Sequence, residues 1–478
     1  LEQTEAISYG FKKFISALLI ITAVNKNIYN MLYFLLRPIL QIALKVFFKR
    51  LQVHHKHLLN IEEPIIYVAN HPNTFMDPII VATLSKKKVH FLSNGSVFNK
   101  FTRPIFKFFN MIPIYRKTDK SDKPISQAEL NKMSFQKCYD FLAQKGTLLI
   151  FPEGTSIIER RLREIKTGTA RIALGAEYEN NFTLGLKIVP IGINYSDADK
   201  FRSEVFVNVG EPILLSKYQN LYNPENFEAV ESLTKEIEEE ISKLIIVTEN
   251  QEQDILIANI EKIYKNTLFD EFDLPEKKYD EFVVVKEIVK AVRYFEQKDS
   301  QYFKNLRIQT DNYLENLSTL GLSDEVFQRS HKKSILGYFL GSIFLLLLGL
   351  PLYVLGLLGN YIPYILPSKI ARLVSTDITF RAPLMMISGM FTFPIAYSIT
   401  LYGIWYFTQN SNFVLISLVL LPLLGYFVLW YVALWEKFII NWQSVRIFYK
   451  KPTLLASLME QRKTILKELK RIQKEYLG

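Results

Sequence analysis

His71 and Asp77 are the first residues in this sequence whose types and spacing could do chemistry. They lie in Asn70-His71-Pro72-Asn73-Thr74-Phe75-Met76-Asp77-Pro78, directly after the apolar run Pro64–Ala69. That run reads as a strand, so the polar cluster falls at a strand's carboxyl end, where α/β sheets place their active sites. Pro72 biases His71 towards an extended conformation and leaves the imidazole in the loop beyond the strand. Asp77 followed by Pro78 reads as an N-cap and first helical residue, with Ile79 onward as the helix. A loop of this kind can fold back and bring the carboxylate beside the imidazole. The carboxylate would then fix the tautomer and stabilise the imidazolium after proton uptake. Taken alone, the pair reads more readily as a helix cap and a loop histidine than as a catalytic pair.

The elements that must position these residues come next. Pro64–Ala69, Val89–Ser93, Thr147–Phe151, Lys187–Asn194 and Val205–Val209 read as strands, with helical patterns at Ser126–Gln144 and Thr167–Glu177. Strands alternating with helices predict an α/β domain with a mainly parallel sheet flanked by helices, over residues 51–215. Residues 216–333 read as a charged helical region. In it Phe227, Val230, Leu233, Ile237, Ile241 and Leu244 keep a helical period, and Asn223-Pro224 is the expected helix start. Further amphipathic stretches follow at Gln251–Lys265, Glu281–Glu296 and Tyr302–Leu317.

Ser334–Ser368 and Ala382–Trp435 contain no charged residue. About 20 apolar helical residues cross a bilayer, so these tracts predict an all-α transmembrane region over residues 334–436. Basic flanks at His331-Lys332-Lys333, at Lys369, Arg372 and Arg381, and from Lys437 suggest that each tract enters and returns on the cytoplasmic side. Gln409-Asn410-Ser411-Asn412 is the expected turn of the second hairpin. The first, interrupted by Pro351, Pro363 and Pro367, is expected as a short or re-entrant hairpin, with a single span as the other reading. Residues 1–50 are apolar but carry Arg37-Pro38 and Lys45, which predicts an interfacial or re-entrant anchor rather than a full span. Residues 437–478 end in a basic amphipathic helix, suited to an anionic membrane surface or simply solvated.

Three more segments decide between the readings of His71 and Asp77. They are Asn110-Met111-Ile112-Pro113-Ile114-Tyr115-Arg116, Phe151-Pro152-Glu153-Gly154-Thr155-Ser156 and Ile188-Val189-Pro190-Ile191. In this order and spacing the set resembles the four blocks of the glycerolipid acyltransferase superfamily. The resemblance covers about residues 69–212. Five residues separate His71 from Asp77, where the usual block has four, and this longer form looks like the fungal glycerol-3-phosphate/dihydroxyacetone-phosphate branch. Asn110 replaces a usual glycine, and Ser156 stands where many members have arginine. Arg160, Arg161 or Lys166 could supply that charge.

The resemblance implies a membrane-bound acyltransferase of phospholipid synthesis. It would move a fatty acyl group from acyl-CoA or acyl-carrier protein to a hydroxyl of glycerol-3-phosphate or 1-acylglycerol-3-phosphate. His71 would be the general base and Asp77 its orienting partner. The family pattern implies acceptor binding by Arg116 and by the Glu153-Gly154-Thr155 turn, with Lys166 close by. Dihydroxyacetone phosphate or an aminolipid is the alternative acceptor, and a non-catalytic lipid-binding scaffold is the alternative outside enzymology. The chemistry agrees with the resemblance. An imidazole of pKa about 6.5 can take a hydroxyl proton at cytosolic pH. A thiolate leaving group of pKa about 8.5 needs little acid assistance.

The composition fits this reading. The 478 residues are 49% apolar with a net charge of +11, which excludes a disordered chain. The single cysteine, Cys138, excludes an intramolecular disulfide scaffold. His54, His55 and His57 lack spaced partner ligands, and strand alternation placing His55 and His57 on one face is the simpler reading. No metal or other cofactor is expected beyond the acyl donor. The expected partners are membrane lipids, the acyl thioester and a glycerol-phosphate acceptor, without nucleic acid. The catalytic domain is expected on the cytoplasmic face of the membrane.

Overall fold

The computed structural model describes residues 26–95, 98, 103, 106, 108–115, 126–271, 280–324, 327, 335–450 and 452–477. It divides into two compact units, Leu1–Ile245 with Ala371–Met386, and Ile246–Ile370 with Ile387–Gly478.

The first unit is built on one sheet. Its strands are β1 (Arg50–His54), β2 (Ile65–Ala69), β3 (Val89–Asn94), β4 (Met111–Ile114), β5 (Thr147–Ile150), β6 (Lys187–Tyr195), β7 (Glu204–Val209) and β8 (Ile213–Leu214). The order is β1-β7-β6-β2-β5-β3-β4, with β8 beside β6. Every pairing is parallel except β6 with β7 and β6 with β8. The five expected strands form, and β2 and β5 are buried at every position. Such strands can be continuously apolar because helices cover both faces of a parallel sheet. The covering helices include α1 (Lys26–Phe47), α2 (Met76–Leu84), α3 (Gln127–Ala143), α4 (Gly168–Glu179) and α5 (Glu228–Leu244). Ser126 and Glu129 close a reciprocal capping box at the start of α3.

Two local expectations change. His55 and His57 do not alternate on a strand, because β1 ends at His54 and His55 turns left-handed (φ 52°) into a short 3-10 turn. Asn223-Pro224 does not start α5; Asn223 pairs with Asn226, and the helix begins at Glu228. In α1, Arg37 donates to the carbonyls of Thr83 (3.3 Å), Lys86 (3.4 Å) and Ser85, at the end of α2. Its charge thus meets orphan helix-end carbonyls. Leu44 and Phe47 of α1, with Phe48, join the sheet core, while Leu35, Ile39 and Ile42 stay exposed.

In the second unit, α6 (Gln251–Glu271), α7 (Asp280–Lys298) and α8 (Ser300–Thr319) pack around one apolar core. The terminal helix α12 (Pro452–Leu477) adds Leu458, Ile465, Leu469 and Ile472 to that core. The apolar stripe of the tail is therefore taken up by protein rather than by a lipid surface.

Three helices are long and apolar enough to cross a membrane: α9 (Ile335–Val374), α10 (Arg381–Thr408) and α11 (Ser411–Lys450). The turn expected between α10 and α11 is present at Gln409-Asn410. The first apolar tract, however, is one continuous helix and not a hairpin. Pro367 deprives the Pro363 carbonyl of its helical donor, and Thr392 Oγ1 supplies one at 3.3 Å. With one helix in that tract, the basic flanks before and after it stand at opposite helix ends. Placing all three flanks on one side no longer follows.

Candidate active site

His71 stands just beyond the carboxyl end of β2, which lies between β6 and β5. Asn70 prolongs the β2–β6 ladder with its side chain, donating to the Ile193 carbonyl (2.9 Å) and accepting from the Ile193 N–H (2.7 Å). The main chain leaves the sheet at that point. The His71 N–H donates to Glu153 Oε1 at 2.8 Å, and its carbonyl accepts from the Ile157 N–H at 3.2 Å.

The imidazole and carboxylate meet as expected, with His71 Nδ1 2.8 Å from Asp77 Oδ2. A carboxylate only accepts, so Nδ1 carries the proton and Nε2 keeps its lone pair. Phe151 stacks on the imidazole with centroids 3.9 Å apart and planes at 13°. The His71 side chain retains 16% exposure and that of Asp77 none, so a substrate can reach the base but not its partner.

Asp77 is not the N-cap. It lies inside the first turn of α2, which begins at Met76, and its carboxylate reaches back to the loop. Oδ2 also accepts from the Asn73 N–H at 2.7 Å, and Oδ1 accepts from the Tyr195 hydroxyl at 2.6 Å. Burial, reinforced by the Asp77 charge, pushes the Tyr195 phenol well above its usual pKa, so it remains a donor. The three bonds orient the carboxylate completely.

Glu153 is buried, and both its oxygens are engaged, Oε1 by His71 and Oε2 by the Arg163 N–H at 3.2 Å. Burial raises its pKa, and these two N–H groups partly offset the effect. Gly154 follows with φ +69°, a backbone that glycine adopts freely. The Lys166 side chain lies across it, and a β-carbon at Gly154 would stand 3.1 Å from Nζ. Lys166 is thus brought to the turn, and Thr155 is half-buried beside it. Ser156 Oγ accepts from the Thr74 N–H at 2.8 Å. Arg161 and Arg163 pair with Glu159 at 3.3 and 2.8 Å. Arg116 lies outside the described residues. No cluster of metal-ligating side chains occurs among the described residues.

Tyr195 is the member of this candidate site that sequence reasoning missed. Its signal is one of register: Ala69 pairs with Ile191 in the parallel β2–β6 ladder, so Tyr195 projects from the same sheet edge as the His71 loop. The arrangement can withdraw a proton from a hydroxyl presented to Nε2 and hold the resulting imidazolium against a buried carboxylate.

Residues 50–194 match the family model described as Acyltransferase. Glycerol-3-phosphate O-acyltransferase 2 of Saccharomyces cerevisiae is 40% identical over 121 residues, 25% of this chain and 16% of that protein. Glycerol-3-phosphate O-acyltransferase 1 of the same yeast is 31% identical over 147 residues, 30% of this chain and 19% of that protein. The matched stretches therefore span less than a fifth of either yeast protein. The crystal structure of a 1-acyl-sn-glycerophosphate acyltransferase from Thermotoga maritima aligns over 50% of this chain and 90% of its own. That alignment has 15% identity and a TM-score of 0.34.

Proposed function

We propose, from the membership of its sheet domain in the glycerolipid acyltransferase superfamily, that this chain transfers a fatty acyl group from an acyl thioester to glycerol-3-phosphate. The observation that carries the reading is the His71–Asp77 pair at 2.8 Å, oriented so that Nε2 is the free base. The yeast relatives, named for glycerol-3-phosphate, favour that acceptor over its 1-acyl derivative.

In the mechanism, Nε2 of His71 takes the proton of the acceptor hydroxyl as its oxygen attacks the thioester carbonyl. The tetrahedral adduct collapses, the C–S bond breaks, and the thiolate of coenzyme A or acyl-carrier protein leaves. The imidazolium returns its proton to that thiolate or to water. Asp77 holds the ring and offsets its transient charge. Glu153 shapes the turn that holds His71, and Gly154, Thr155 and Lys166 border the acceptor, with the Lys166 ammonium facing its phosphate. The family pattern assigns the same phosphate to Arg116. Acyl thioesters are made in the cytoplasm, and the basic residues Lys369, Arg372 and Arg381 lie in or beside Ala371–Met386, which belongs to the catalytic unit. Both favour a cytoplasmic site.

The test is to supply the full chain in lipid vesicles with labelled acyl-CoA or acyl-carrier protein. The acceptors are glycerol-3-phosphate, its 1-acyl derivative, dihydroxyacetone phosphate and an aminolipid. Labelled 1-acylglycerol-3-phosphate is the expected product. Transfer to the 1-acyl derivative alone would move the acceptor assignment, and transfer to none of the four would overturn the reading.

A further inference from the structure

The connector between α9 and α10 lies in the catalytic unit, although it is some 300 residues from the His71 loop in sequence and outside the stretch that matches the acyltransferase family. Asp377 fixes its shape. Oδ1 accepts from the Thr379 N–H (2.9 Å) and hydroxyl (2.8 Å), closing a short turn over Ile378–Phe380. That turn presents the Thr379 carbonyl to Thr74 Oγ1 at 2.8 Å. Phe380 meets Phe75 edge-on, with centroids 5.7 Å apart. Thr74 and Phe75 are the middle of the loop between His71 and Asp77.

A second tie closes the circle. Arg381 Nη1 lies 2.8 Å from Asp199 Oδ2, and the neighbouring Ala198 carbonyl accepts from Asn73 Nδ2 at 2.5 Å. Following the contacts from Asn73 to Ala198, Asp199, Arg381, Thr379, Thr74 and back to Asn73 gives a closed ring through three distant chain segments. Ala382 and Met386, immediately after it, are buried in the sheet core. The ring is therefore anchored on the same body as the base.

We propose that this connector is a positioning element for acyl transfer, holding the Asn73–Phe75 segment so that His71 and Asp77 stay in register. The inference rests on the function proposed above for its kinetic consequences, but the ring itself can be tested without turnover. Loop residues that hold a catalytic pair gain precision when tied to rigid elements on both sides. The ion pair is partly exposed, so it adds little to global stability. Its loss is expected to appear in the loop rather than in the melting temperature.

The experiment compares the full chain in vesicles with Thr74→Val, Thr74→Ser, Arg381→Ala and the exchanged pair Asp199→Arg/Arg381→Asp. Thr74→Val and Arg381→Ala are expected to speed amide exchange over residues 73–77 by about tenfold. They should also lower kcat by about tenfold while the KM for the acyl donor stays within about twofold. Thr74→Ser keeps the hydroxyl and the exchanged pair keeps the ion pair, so both should return exchange and kcat close to wild type. Unchanged exchange in Thr74→Val and Arg381→Ala would overturn the proposal, and so would faster exchange with unchanged kcat. If the wild type acylates no glycerol-phosphate acceptor, the functional reading fails and the exchange data alone decide the connector.

Discussion

Asp77 in the sheet unit and Asp324 in the helical unit are both buried carboxylates that accept a tyrosine hydroxyl at 2.6 Å and bond to a basic side chain. At Asp77 that side chain is His71; at Asp324 it is Arg462 of α12, with Nε at 2.9 Å and Nη2 at 3.1 Å. The difference in base separates their uses. A guanidinium does not release its proton in a protein, so the Arg462 pair can only hold. It ties the end of α8 to the terminal helix, and Arg462 also reaches the Ile263 carbonyl of α6 at 3.4 Å. An imidazole, unlike a guanidinium, can exchange its proton, so in the function proposed above the same surroundings hold His71 as the base. One arrangement is a clasp, and the other is the catalytic pair of the proposed reaction.

Substitutions can break or sharpen this contrast. The largest effect is expected at the base: His71→Ala should lower kcat by roughly 10³-fold. Asp77→Asn should approach that loss by selecting the wrong tautomer. Neither should change the melting behaviour of the helical unit. Normal turnover by a folded His71→Ala protein would end the comparison. Next, Arg462→Met strands a buried carboxylate and should cost about 3 kcal/mol of stability. Pairing it with Asp324→Leu should recover most of that loss, and kcat per folded molecule should hold throughout. Thermal melting in detergent, run beside the turnover assay, reads both quantities.

The two tyrosines give a smaller, crossed test. Tyr195→Phe should reduce kcat several-fold through a looser Asp77, whereas Tyr313→Phe should cost about 1–2 kcal/mol of stability and leave kcat alone. Equal kinetic losses from both would erase the distinction. The smallest effect concerns a half-buried imidazole in β3. Burial, with a minor contribution from Lys88, pushes His90 down to about 4. The unfolded chain takes up this proton near pH 6.5 and the folded chain only near 4, so acidification favours unfolding. Allowing for its partial exposure, the loss between pH 7 and 5 is about 1 kcal/mol. His90→Phe should remove that part of the slope in melting temperature against pH.

The sequence made the centre of the sheet plain and its margins obscure. β2, most of β5 and the middle of β6 are apolar runs because both faces are covered, and that pattern is readable without coordinates. β1 and β4, which no pattern announced, are the two edge strands of the main ladder. Arg50-Leu51-Gln52-Val53-His54 is half polar, and Met111-Ile112-Pro113-Ile114 contains a proline, so neither resembles a buried strand. His71 and Asp77 were legible because both sit within one loop. Tyr195 was not, because its link to Asp77 exists only through the β2–β6 register. The connector carries no motif at all. The prolines of α9 misled for the opposite reason, since a side chain of α10 supplies a donor that local reasoning counts as lost.

The edge at β4 also bears on how the chain avoids its own kind. An open parallel edge invites another strand to join, which is the first step of sheet-to-sheet aggregation. Pro113 has no N–H to offer such a strand. One step further along, Asn131 of α3 occupies the backbone of Tyr115, accepting its N–H at 2.8 Å and donating to its carbonyl at 2.6 Å. An edge that no sequence pattern announced is therefore also one that a neighbouring chain cannot readily extend. That protection counts for more in a chain whose long apolar helices suit it to a membrane, where copies meet in two dimensions rather than three.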